Sequence, residues 1–235
     1  MVSNGLAKSR EQANSLLMSG NVFINEKRVE KAGQQVNTDS KIEIKGKTYP
    51  WVSRGGIKLE KAILEFKLNC DLIIALDIGA STGGFTDVLL ARGAKKIYAV
   101  DVGYGQLDWR LRQNERVIVK EKTNARFLTD QIIKDPLDAI VCDASFISLK
   151  KVLPSGLSLL KTKGWLAALI KPQFEVGKGL VGKGGVVRDP ELHQEVVADI
   201  KNWLQHDMNM YLSGVVESPI LGPSGNKEFV IVANK

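Results

Sequence analysis

The sequence predicts an α/β protein: a mostly parallel sheet covered by helices on both faces, preceded by a small α+β module. Three observations predict it. From residue 54 onward, continuous apolar runs of strand length alternate with helical stretches, the pattern of a sheet buried on both sides. The first of these runs ends in a glycine-rich turn that opens a helix. The first fifty residues differ from the rest, with eight Lys or Arg against five Asp or Glu and only short apolar runs. The 235 residues are 44% hydrophobic and 25% charged, near the globular average, so a disordered or fibrous chain is excluded. A net charge of +7 favours a polyanionic partner. No apolar run approaches the roughly 18 residues of a membrane helix, and MVSNGLAKSREQ carries no signal-peptide core. Only Cys70 and Cys142 are present. The expectation is a cytoplasmic protein with neither a disulfide scaffold nor a zinc site.

In the N-terminal module, Ser9-Arg10-Glu11-Gln12 fits a capping box that opens a helix. Ala13, Leu16 and Leu17 give that helix an apolar face, and Gly20 is placed to end it. Val22-Phe23-Ile24 reads as a strand, Asn25-Glu26-Lys27 as a turn and Arg28-Val29 as the return. Lys41-Ile42-Glu43-Ile44-Lys45 alternates as a further strand. Residues 1–48 form this module and 49–53 a linker, since Pro50 bars a continuing helix. Residues 54–235 form the larger domain. Its strands are expected at 72–77, 96–101, 117–120, 138–143, 165–171, 210–217 and 227–234, and its helices at about 54–67, 83–92, 106–113, 147–161 and 190–206.

The turn Asp77-Ile78-Gly79-Ala80-Ser81-Thr82-Gly83-Gly84-Phe85-Thr86 follows the strand LIIAL. Glycines let a backbone approach a ligand closely, and the next strand ends in Asp101, a carboxylate able to hold two ribose hydroxyls. Strand, turn, helix, strand and acid together indicate a nucleoside cofactor. Ser81 stands where a dinucleotide fingerprint has its second glycine. Asp77 at the head of the turn suits a cation better than a pyrophosphate, which points to S-adenosyl-L-methionine. Two other motifs compete. Gly79-Ala80-Ser81-Thr82-Gly83 spells the nucleophile elbow of serine hydrolases, but His193 and His206 both fall in the helical stretch 190–206. Gly177 to Gly184 nearly spells a phosphate-binding loop, but Gly184 replaces the hydroxyl residue. That segment reads as a mobile loop.

Ligands in open α/β sheets bind at the carboxyl ends of the strands. Asp143 ends the strand AIVCD, and Lys171 ends WLAALIK. Lys58 lies early in helix 54–67, whose Leu59, Ala62, Ile63 and Phe66 face the core. Glu228 begins the last strand, which shares that edge if it runs antiparallel. Two cations and two carboxylates would then converge beside the glycine turn.

DIGASTGGFTD, AVDVGYGQL, DASFISLK, LIKPQFE, GKGGVVRD and GPSGNKEF together resemble the hemolysin A (TlyA) family of ribosomal RNA 2′-O-methyltransferases, over nearly the whole chain. The larger domain also resembles the FtsJ-like methyltransferases, whose Lys-Asp-Lys-Glu tetrad falls on Lys58, Asp143, Lys171 and Glu228. The resemblance implies a Rossmann-like class I methyltransferase fold, with a seven-stranded mostly parallel sheet and an antiparallel last strand. It implies an N-terminal alpha-L RNA-binding domain, here expected to lack its first helix. It further implies methylation of cytidine ribose in ribosomal RNA, free or within ribosomal subunits, and no metal. Asp77, Gly79, Ser81, Thr82, Gly83, Phe85, Thr86, Asp101, Val102 and Asn124 are the implied cofactor residues. Lys8, Arg10, Lys27, Arg28 and Arg54 are expected to contact RNA phosphates. The competing readings are an RNA base methyltransferase and a non-enzymatic RNA-binding or hemolysin-like protein.

Overall fold

In a computed structural model of the chain, the described residues are 1–7, 10–18, 20, 22–29, 33–37, 39–44 and 49–235. Two compact units divide between Pro50 and Trp51. Lys8 and Ser9 lie outside the described residues.

In the first unit, α1 (Arg10–Met18) is followed by Gly20 at φ +71°, in the left-handed region that ends helices. A small antiparallel sheet has the order β2-β1-β3, from β1 (Val22–Ile24), β2 (Lys27–Arg28) and β3 (Ile42–Ile44). Asn25 and Glu26, at φ +47° and +66°, make the two-residue turn between β1 and β2.

The second unit begins with α2 (Gly55–Phe66), β4 (Ile74–Ile78), α3 (Gly84–Ala91), β5 (Lys96–Val100), α4 (Trp109–Arg112) and β6 (Val117–Lys120). It continues with β7 (Leu137–Cys142), α5 (Leu149–Val152), α6 (Pro154–Ser158), β8 (Leu160–Ile170) and α7 (Pro172–Glu175). It closes with α8 (Pro190–His206), β9 (Tyr211–Glu217) and β10 (Phe229–Asn234). The seven strands run β6-β5-β4-β7-β8-β10-β9, and β10 is antiparallel to both its neighbours. This is the mostly parallel sheet with a reversed last strand that the sequence led us to expect. Leu76, Ile140, Leu166, Ala168 and Ile231 sit fully buried at its centre, with Leu204 of α8 among the residues packed on it. The chain leaves β4 toward β5 on one side and returns to pair β7 on the other. That switch point opens a crevice at the carboxyl ends of the strands.

Several boundaries differ from the sequence expectation. The first long strand starts at Ile74, because Leu72 turns through φ +57°. The helix expected over 106–113 contracts to α4, started by Asp108, whose carboxylate accepts the Arg110 N–H at 2.9 Å. The helix expected over 147–161 is two short helices. Pro154 cannot continue the first and takes the first turn of the second. β8 starts at Leu160, five residues early, and carries Lys163 at φ +69° before its buried run. Among the described residues no helix is long and apolar enough to cross a membrane, and no group of three His, Cys, Asp or Glu side chains could hold a metal.

Candidate active site

Sheet register brings the polar residues together. Ile78 pairs with Cys142, so the glycine turn after β4 and Asp143 after β7 leave the sheet side by side. The Asp143 N–H donates to the Ile78 carbonyl at 3.0 Å. Phe229 pairs with Ile170, so Glu228 and Lys171 leave β10 and β8 at one edge. Lys58 reaches the same place from the buried face of α2, beside Leu59 and Ala62.

The four side chains form a connected chain of charge. Lys58 Nζ lies 2.6 Å from Glu228 Oε2 and 3.8 Å from Asp143 Oδ2. Lys171 Nζ lies 2.6 Å from Asp143 Oδ1, 2.8 Å from Ser145 Oγ and 3.2 Å from the Asp143 carbonyl. Ser145 Oγ and the Asp143 carbonyl accept hydrogen bonds from this nitrogen, and the Asp143 carboxylate is in ion-pair contact with it. Lys58 and Lys171 are each 5% exposed and Glu228 1%. Charges this buried require partners, and here each cation has a carboxylate. Gly222 lies against Glu228 Oε1 and leaves no room there for a Cβ.

Two cavities meet at this cluster. One, of about 490 Å³, is walled by Asp101, Val102, Asn124, Ala125, Phe146 and Ile147. The other, of about 270 Å³, is walled by Arg54, Lys58, Asp77, Thr82, Phe85 and Lys171. Gly79, Ser81, Asp143 and Ser145 line both. Gly79 sits at φ +78°, and a Cβ there would fall 2.9 Å from Ala144 Cα, so the turn and the β7 exit pack backbone to backbone. Asp101 holds the turn, accepting the Ser81 N–H at 2.8 Å and the Gly103 N–H at 2.7 Å. Each of its oxygens keeps a lone pair for a hydroxyl. Asp77 is fully buried; Thr86 donates to Oδ2 at 2.6 Å and Oδ1 has no partner. Burial pushes its carboxyl up to about 7, against the stabilising hydrogen bond from Thr86. An orphaned carboxylate oxygen beside one cavity and a free-sided carboxylate in the other fit a ligand that is cationic at one end and a nucleoside at the other.

Gly83 and Thr86 line neither cavity. Gly83 packs on Leu111 at φ +96°, and Thr86 is a support for Asp77. Arg54 is exposed in the wall of the smaller cavity. Arg10, Lys27 and Arg28 are exposed in the N-terminal unit. Ser145 carries no distinctive signal in the sequence beyond its place two residues after Asp143, yet it bonds Lys171. Phe146 stands 89% exposed at φ +64°, its ring 5.1 Å from that of Phe174. The hydrolase motif has no base: the Ser81 hydroxyl donates to Gln106 Oε1 at 3.2 Å, while His193 and His206 lie on α8.

Residues 51–235 match the FtsJ-like methyltransferase family, and residues 1–42 match the S4 domain. The chain is 45% identical over 232 residues to the 16S/23S rRNA (cytidine-2′-O)-methyltransferase TlyA of Mycobacterium tuberculosis, covering 98% of this chain and 86% of that protein. It is 39% identical over 231 residues to Hemolysin A of Brachyspira hyodysenteriae, covering 97% and 95%. A solved structure from Streptococcus thermophilus, which carries a provisional hemolysin name, is 41% identical with a TM-score of 0.80, covering 98% of this chain and 84% of that one. An FtsJ-like domain behind an S4 domain, with identity of this level across almost the whole length, means that the chain belongs to the TlyA family of FtsJ-like methyltransferases.

Proposed function

We propose that the protein transfers a methyl group from S-adenosyl-L-methionine to the 2′-hydroxyl of a cytidine in ribosomal RNA. The buried Lys58–Glu228 pair and the pair of buried Lys171 with half-buried Asp143, set where two cavities share a wall, carry this reading. When bound, the cofactor supplies an electrophilic methyl on a sulfonium. Asp77, with Gly79, Ser81 and Thr82, would hold its cationic end; Asp101 its ribose hydroxyls; Val102 and Asn124 its base. The 2′-hydroxyl is a weak nucleophile, and its displacement of sulfur from carbon releases one proton. Lys171 takes or orients that proton, while Asp143 and Ser145 hold its nitrogen in place. Glu228 fixes Lys58, which steers the sugar and balances charge. Alignment of the reacting atoms supplies much of the rate. The exposed ring of Phe146 offers a face on which a base can stack. Lys27, Arg28 and Arg10 of the S4 domain would contact phosphates and set affinity rather than sequence. The work would be done where ribosomal RNA is assembled, in the cytoplasm.

Methylation at a cytosine carbon needs a nucleophilic cysteine. Cys142 is fully buried in β7, and burial pushes its thiol up to about 12, so it is inert. The test of the sugar reading is Lys171→Ala with labelled cofactor and ribosomal RNA. Loss of general-base help should lower kcat by roughly 10²- to 10⁴-fold, with cofactor binding kept. Near-normal turnover would remove the proposed base. Nuclease digestion of the wild-type product must then yield a sugar-methylated cytidine; label on the base would refute the assignment.

A further inference from the structure

The segment Gly182–Arg188 folds back on itself. The Gly182 N–H donates to the Val186 carbonyl at 3.1 Å, and Gly184 and Gly185 turn through φ +77° and +76°. It carries Lys183 and Arg188 exposed. Its inner side is fastened in part by a buried side chain, Asn226, which is 3% exposed. Asn226 Oδ1 accepts the Val187 N–H at 3.1 Å, and Nδ2 donates to the Gly185 carbonyl at 2.9 Å. His193 of α8 donates from Nε2 to the Val187 carbonyl at 2.9 Å, and its ring meets Phe229 edge-on at 5.9 Å. The Asn226 carbonyl accepts the Gly222 N–H at 2.8 Å. Gly222 is the residue that lies against Glu228 Oε1, and Glu228 holds Lys58. One residue therefore joins an exposed basic turn, held by its side chain, to Gly222 beside the buried Lys58–Glu228 pair, held by its backbone carbonyl.

We propose that Asn226 is a positioning residue: it makes the placement of Glu228 and Lys58 depend on the 182–188 turn, through which Lys183 and Arg188 engage the phosphate backbone of the substrate. This inference rests on the methyl-transfer reading above. A buried amide satisfied at both ends is rigid, and a turn with two left-handed glycines depends on such a tie for a single conformation. A displacement at Lys58 of about 1 Å is enough to cost on the order of 10²-fold in rate.

The experiment uses the full chain, ribosomal RNA and labelled cofactor. Asn226→Ala should lower kcat by about 10- to 100-fold, while the cofactor Kd measured without RNA stays within about 2-fold, less than the ~0.4 kcal/mol that this ratio represents. Asn226→Asp keeps the acceptor for Val187 and the size of the side chain, and it is the variant to use if the alanine form binds no cofactor. A second measurement separates positioning from plain support. Lys183→Ala with Arg188→Ala should raise KM for RNA in the wild type, and the same pair should have a much smaller effect in the Asn226 variant. Additive effects, unchanged kcat, or a parallel loss of cofactor binding in both Asn226 variants would overturn the inference. A wild-type protein that methylates no ribosomal RNA would instead sink the parent reading; an active wild type with an indifferent Asn226 variant sinks this inference alone.

Discussion

Asp77 sets burial against charge more directly than any other described residue. It sits inside β4 with one oxygen bonded to Thr86 and the other without a partner. Burial raises its carboxyl to about 7, above the value of about 4 in an unfolded chain. Between those two values the folded state binds the extra proton, so stability falls as pH rises from about 4 to about 7 and is level above that. Asp77→Asn removes the titration and keeps an acceptor for Thr86. The free energy of unfolding taken from its urea curves should therefore fall less than the wild type's across that interval, by an amount on the order of a few kcal/mol. Parallel curves would show that Asp77 does not titrate there. Cofactor affinity should move the other way, tightening as pH passes 7 in the wild type and staying flat in Asp77→Asn. Asp143 and Lys171 were legible in the sequence, because a buried apolar strand that ends in a charged residue marks a strand mouth. The Lys58–Glu228 contact was not legible as a pair. It joins residues 170 apart, and only the docking of α2 on the sheet decides it. Ser145 was invisible as a partner of Lys171, since a serine in a loop is bland by type.

At the scale of elements, the turn between β4 and α3 carries the tightest constraint. Gly79 combines a left-handed φ with backbone contact to Ala144. Neither side of that contact is a flexible side chain that can swing away. Gly79→Ala should cost about 1–3 kcal/mol, read as a lowered Tm, and should weaken cofactor binding because the turn lines both cavities. An alanine variant with wild-type Tm and cofactor Kd would mean that the two exits can separate freely. This turn was legible because its glycines follow an apolar run and precede a helix. The two short helices α5 and α6 are not separable by periodicity, because the apolar spacing continues across the break at Pro154. The start of β8 is illegible in the sequence for a different reason. Leu160-Lys161-Thr162-Lys163-Gly164 is polar, and its three exposed residues look like loop. Pairing of Leu137 with Leu160 makes it strand.

For the molecule as a whole, the proposed action on RNA gives the positive charge and the two-unit organisation a common reading. The net charge of +7 is modest, so its placement matters more than its size. Lys27 and Arg28 sit together on β2, an edge strand of the small sheet, with both side chains exposed. If they touch phosphates, replacing both with alanine should weaken RNA binding at all sequences alike. The slope of log affinity against log salt should also become shallower, by roughly 0.7 to 0.9 for each phosphate no longer neutralised. A weaker affinity with an unchanged slope would assign them to folding rather than to RNA. The division into units was visible in the sequence as a change of composition at Pro50. The floor common to both cavities, built from Gly79, Ser81, Asp143 and Ser145, has a thermodynamic corollary. If the cofactor lies across both, as its proposed contacts with Asp77 and Asp101 require, the acceptor sugar must meet that same floor, and the two ligands cannot bind independently. Whatever factor one occupant imposes on the other's affinity must be returned in equal measure, so spent donor that lingers would also hold the modified RNA and set the pace of turnover.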